Sequence, residues 1–125
     1  YGVVVSLGFA TLENYDYVFR IAEEYEVSPL DMAITRAFTA VPMHALCGVI
    51  MGFYFGMYAF VSGGKNLSLA LIVPYIFHGT YNFLCAFPPY YVFVIFILLV
   101  FSYLLHNNVK ETQKLKKIEH EEKII

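Results

Sequence analysis

Charge is what this sequence has least of. Only 14% of its 125 residues are charged, while 59% are hydrophobic. A soluble domain of this size keeps a charged surface, and a mean hydropathy of +0.62 excludes one. No nucleic-acid partner is expected; the solvent implied is a lipid bilayer. Cysteine is scarce, and Cys47 and Cys85 both stand inside apolar runs. They read as small reduced core residues, not as a disulfide. An initiator methionine and the basic n-region of a signal peptide are also lacking, since Tyr1 opens inside an apolar run. The expectation is a fragment whose beginning is missing. No internal repeat is found.

Apolar length is what the sequence has in abundance. Residues 1–14 read as the tail of one helix, roughly 21 Å long at ~1.5 Å per residue and short of the ~30 Å hydrocarbon core. Residues 37–61 and 67–87 are each long enough to span, and residues 90–106 read as a lipid-facing helix without chemistry. The fold class expected is all-α: a polytopic transmembrane helix bundle of about four apolar helices, the first truncated.

The connections are polar. Residues 62–66, "SGGKN", predict a tight turn, and Pro88-Pro89 stops the third helix and starts the fourth. Residues 15–36 read as an acidic loop. Within it Ser28, Pro29 and Asp31 resemble an N-cap, a first-turn proline and an acidic N3 partner, so the second helix starts near Pro29 and runs into the membrane. Lys110, Lys114, Lys116, Lys117 and Lys123 crowd the last sixteen residues. The positive-inside rule puts this tail in the cytoplasm and the 15–35 and 88–89 connections outside.

Against this background five polar residues at membrane depth stand out: Glu13, Asn14, His44, His78 and Asn82. Ionisable groups there are costly and mark a pathway, a metal or a catalytic site. In the expected topology Glu13, His44 and His78 fall at a similar depth on three different helices. Gly48, Gly52 and Gly56 follow His44 in steps of four, a ridge that lets a neighbouring helix approach and turns the imidazole inward. Pro42 and Pro74 each precede a histidine, free a carbonyl and can kink the helix beside it. His78 and Asn82, at i and i+4, share a face, so the asparagine can orient the imidazole or bind an oxyanion. Tyr75 lies one turn from His78. His106, His120 and the Glu23-Glu24 pair read as solvated.

Two imidazoles and a carboxylate make a zinc site with an open position for water. Alternatively the glutamate is a general base and the histidines stabilise the transition state. Both amount to hydrolysis. A membrane transporter or channel relaying protons or metal ions through Glu13, His44 and His78 is the other reading of the same residues.

The stretches "YGVVVSLGFATLEN", "RAFTAVPMHALCGVIMGFYFG" and "HGTYNF" resemble, in that order, three motifs of the PrsW family of intramembrane proteases. That family is distantly similar to the CAAX prenyl protease and bacteriocin-processing group. The resemblance covers roughly residues 1–84. It implies that Glu13, His44, His78 and Asn82 are catalytic. It also implies that Glu13, His44 and His78 are the ligands of any divalent metal, zinc first. The expected substrate is a membrane-anchored protein such as an anti-sigma factor, cleaved in a prokaryotic plasma membrane. On this basis residues 1–106 form the protease core and residues 107–125 a charged cytoplasmic tail. The family's paired-glutamate motif belongs to a preceding helix, so part of the site is expected upstream of Tyr1.

Overall fold

The computed structural model describes residues 1–60 and 64–122, all of them in helices or short connections. Helix α1 covers Gly2–Asp16. The chain does not leave the helix there, as an acidic loop would. It widens into one π turn at Tyr17–Ile21, where the Ala22 N–H reaches the Tyr17 carbonyl, and continues as α2, Ala22–Glu24. The Arg20 guanidinium binds both oxygens of Asp16 at 2.6 and 2.7 Å, an i,i+4 pair that favours helix through this polar stretch. The chain reverses around Glu26, whose φ of 54° lies in the left-handed region. The expected loop is thus a short helical hairpin.

Ser28 is the N-cap of α3, Pro29–Phe38, and Pro29 opens it as predicted, but the serine side chain makes no capping hydrogen bond. Helix α3 stops at Thr39, with φ −123° and ψ −67°, and α4 follows at Ala40–Phe60. Pro42 explains the break: it has no N–H to offer the Phe38 carbonyl one turn back. Helix α5 covers Gly64–Cys85 and α6 covers Tyr91–Glu122, with Pro88-Pro89 between them as expected. The predicted turn at 62–66 lies partly outside the described residues; Gly64, Lys65 and Asn66 already belong to α5. Side chains from 115 onward, His120 among them, are likewise outside the description.

Among the described residues, three stretches are long and apolar enough to cross a membrane: Pro29–Phe60, Gly64–Cys85 and Tyr91–Glu111. The chain is therefore an integral membrane protein built of helices. Helix α4 is its centre, with α1 and α5 packed on it and α6 against both α4 and α5. Ala40, Met43, Cys47 and Ile50 of α4 meet Tyr81 of α5 and Val94, Leu98 and Leu105 of α6 in the core. Helix α6 thus buries one stripe, while Phe93, Phe96, Ile97 and Val100 stay outward as lipid-facing residues should.

The α1–α4 contact rests on glycine. A Cβ added at Gly48 would lie 2.7 Å from the Val3 Cα and 2.9 Å from the Gly2 carbonyl oxygen. At Gly2 it would lie 2.5 Å from the Gly48 carbonyl oxygen. Backbone therefore rests on backbone, the close approach that small residues allow in lipid. Gly56, third on the expected ridge, faces open space instead. Ser6 adds a pin, its hydroxyl donating to the His44 carbonyl at 2.6 Å.

Candidate active site

The glycine contact decides where Glu13 goes. Gly2 meets α4 at Gly48 and Gly52, and Ser6 meets it at His44. The two helices therefore run antiparallel, and the far end of α1 reaches the start of α4. About two turns beyond Ser6, Glu13 arrives beside His44 and Arg36. On the other flank of α4, α5 brings His78 to the same place.

Glu13, His44 and His78 each offer one ligand atom, and these atoms lie within 4.8 Å of one another. The His44 Nε2 is 3.0 Å from Glu13 Oε2, and the His78 Nε2 is 3.5 Å from Glu13 Oε1. The two imidazole centres are 4.9 Å apart. His44 is fully buried, as the glycine ridge predicts, and His78 is half-buried. Asn82 Nδ2 lies 3.4 Å from His78 Nδ1, so the i,i+4 pair forms. Tyr75 is different: it is 80% exposed and on the outer side of α5. Glu23 and Glu24 are exposed as expected, and so is His106.

The sequence places Glu13 in apolar surroundings, and the structure does not. Arg36 Nη2 donates to Glu13 Oε2 at 2.6 Å, and Arg36 Nε donates to Asn14 Oδ1 at the same distance. Sequence reasoning left Arg36 in the outer loop, yet it is only 7% exposed. Phe9 was missed as well. Its ring centre lies 5.7 Å from His44 and 6.0 Å from His78, so it meets both imidazoles at a tilted, edge-on angle. Both residues had a signal, because Phe9 is one turn before Glu13 and Arg36 two turns before His44.

His78 Nε2 is buried and has no hydrogen-bond partner among the described residues. Two imidazole nitrogens and one carboxylate, with one nitrogen unsatisfied, are a fit donor set for a divalent metal. Zinc suits nitrogen and oxygen donors in this number.

A family model described as PrsW family intramembrane metalloprotease matches residues 1–105. Protease PrsW of Bacillus subtilis (strain 168) is 46% identical over 87 residues, which are 67% of this chain and 37% of that protein. Protease PrsW of Clostridioides difficile (strain 630) is 34% identical over 110 residues, 84% of this chain and 44% of that protein. Protease PrsW of Oceanobacillus iheyensis is 41% identical over 86 residues. The chain spans less than half the length of these curated relatives. No solved structure matches it.

Proposed function

Because the chain belongs to the PrsW family of intramembrane metalloproteases, we propose that it carries the hydrolytic centre of an enzyme that cuts membrane-anchored proteins. One observation carries the reading. Glu13, His44 and His78, far apart in sequence and on three helices, bring their ligand atoms within 4.8 Å of one another. A bundle does not gather a carboxylate and two imidazoles inside lipid for packing alone, because each costs free energy there.

In this reading Glu13 takes a proton from the attacking water and returns it to the leaving amine. Alternatively, with a divalent metal bound, His44 and His78 would hold it through Nε2 and Glu13 would be its third ligand instead of the base. When bound, a divalent metal supplies Lewis acidity and a water that ionises near neutral pH. Asn82 orients His78 through Nδ1 and offers an amide to the developing oxyanion. Phe9 packs its ring edge against both imidazoles and steadies them. The substrate class that fits is a single-pass protein such as an anti-sigma factor, cut near the outer face. The segment 107–125 is then a cytoplasmic tail.

The test is reconstitution of the full-length protein in liposomes with a membrane-anchored substrate. Cleavage should require Glu13, His44 and His78 together. Ion flux without cleavage would sink the protease reading and favour a transporter.

A further inference from the structure

None of the hydrolytic roles above uses Arg36, although it is the buried cation of the site. Its side chain is held on an edge and on a face. The parallel N–H groups of one guanidinium edge go to Asn14 Oδ1 and Glu13 Oε2, both at 2.6 Å. The flat face lies on Tyr17, with Cζ 3.8 Å from the ring centre. An arginine fixed this way has one orientation, and so has whatever it grips. Its grip is on one oxygen only. Glu13 Oε2 accepts from Arg36 and also meets His44 Nε2 at 3.0 Å. Oε1 has neither neighbour and faces His78 Nε2 at 3.5 Å.

We infer that Arg36 is a positioning residue that decides which oxygen of Glu13 works, fastening Oε2 and presenting Oε1 to the water or metal beside His78. The inference rests on reading Glu13, His44 and His78 as the hydrolytic centre. Its chemical content is the number of oxygens offered. A carboxylate that binds through one oxygen leaves a three-ligand metal an open position for water. A carboxylate free to turn offers both oxygens and fills that position. Without metal, the same grip keeps the Oε1 lone pair aimed at the attacking water. Lysine can replace this grip only in part, because one ammonium can hold Glu13 Oε2 but cannot serve Glu13 and Asn14 in parallel while stacking on Tyr17.

The experiment uses the full-length protein in lipid nanodiscs, with cobalt(II) as the probe. The wild type is compared with Arg36→Gln and Arg36→Lys, reading the visible spectrum of bound cobalt and kcat and KM separately. Cobalt bands weaken as coordination number rises. Arg36→Gln should still bind cobalt, with weakened bands, and should lose about 100-fold in kcat at nearly unchanged KM, the cost of a misplaced catalytic group. Arg36→Lys should recover part of the kcat. A wild-type spectrum and kcat in Arg36→Gln would overturn the inference. So would equal losses in both variants with an unchanged cobalt spectrum, which is what a purely structural arginine gives. If Arg36→Gln does not accumulate, Asn14→Ala loosens the same grip and should shift the spectrum in the same direction; an unshifted spectrum counts against the inference. If the wild type binds no cobalt, the kcat–KM split and the lysine recovery decide. Intact cobalt binding and cleavage in Glu13→Gln and His44→Ala would instead remove the hydrolytic reading itself.

Discussion

A single amide sets the proton position on His78. Asn82 Nδ2 and His78 Nδ1 are 3.4 Å apart, and the amide can be turned either way. If Nδ2 donates, Nδ1 accepts and the ring proton sits on Nε2, where no metal can bind. If the amide presents its oxygen, Nδ1 carries the proton and Nε2 is open as a ligand. Asn82→Asp keeps only the second possibility and should retain zinc affinity, whereas Asn82→Leu should lose about 10–100-fold. Calorimetric titration with zinc checks the order, and a weaker Asp than Leu variant would contradict metal binding through His78. Glu13→Gln should lower kcat by about 100- to 10,000-fold while the protein still accumulates in the membrane, as expected for a general base. Glu13, His44 and His78 were legible in the sequence because charge inside an apolar run has no cheap explanation. Arg36 was not. An arginine in a polar stretch looks solvated, and its long arm bridges the distance that the sequence alone places between it and Glu13.

At the scale of elements, the seating of α1 on α4 carries the site. Gly48 has the Val3 Cα and Gly2 backbone where a side chain would go, and backbone cannot step aside. Gly48→Val should therefore push α1 away, cost about 1–3 kcal/mol in stability, and separate Glu13 from His44. Gly56→Ala, facing open space, should change neither the melting temperature nor cleavage. Thermal unfolding in detergent, read beside substrate cleavage, separates the two; equal effects would mean that the glycine contact does not set the geometry. The three spanning segments were readable because hydrocarbon thickness fixes their length. The helical course of residues 15–24 was not, because polar residues outside a membrane suit a loop and a helix alike; only the start of α3 at Pro29 was in view. There the outcome turns on one i,i+4 ion pair and one wide turn. The break at Thr39 follows from Pro42, which was in view, although where the helix would give way was not.

For the molecule as a whole, the lysine cluster predicts a cytoplasmic tail and a site that opens outward. A cysteine introduced near Lys116 should resist an impermeant thiol reagent applied to intact cells; labelling from outside would reverse the orientation. One consequence of the glycine seat reaches beyond the protein's own atoms. Smooth backbone contact resists separation but not sliding, and along the α1–α4 seam Ser6 supplies a hydroxyl stop against translation. A slip of one helical turn, about 5.4 Å, would carry Glu13 out of reach of both imidazoles. A bilayer that thickens or thins pulls lengthwise on the helices it contains. The seam then behaves as a bolt in a slot, and cleavage should have an optimum in lipid chain length. Ser6→Ala should narrow that optimum, because less strain is needed to move the bolt. A rate that is flat across bilayers of increasing thickness, in wild type and variant alike, would show that α1 is fixed by something other than its seat.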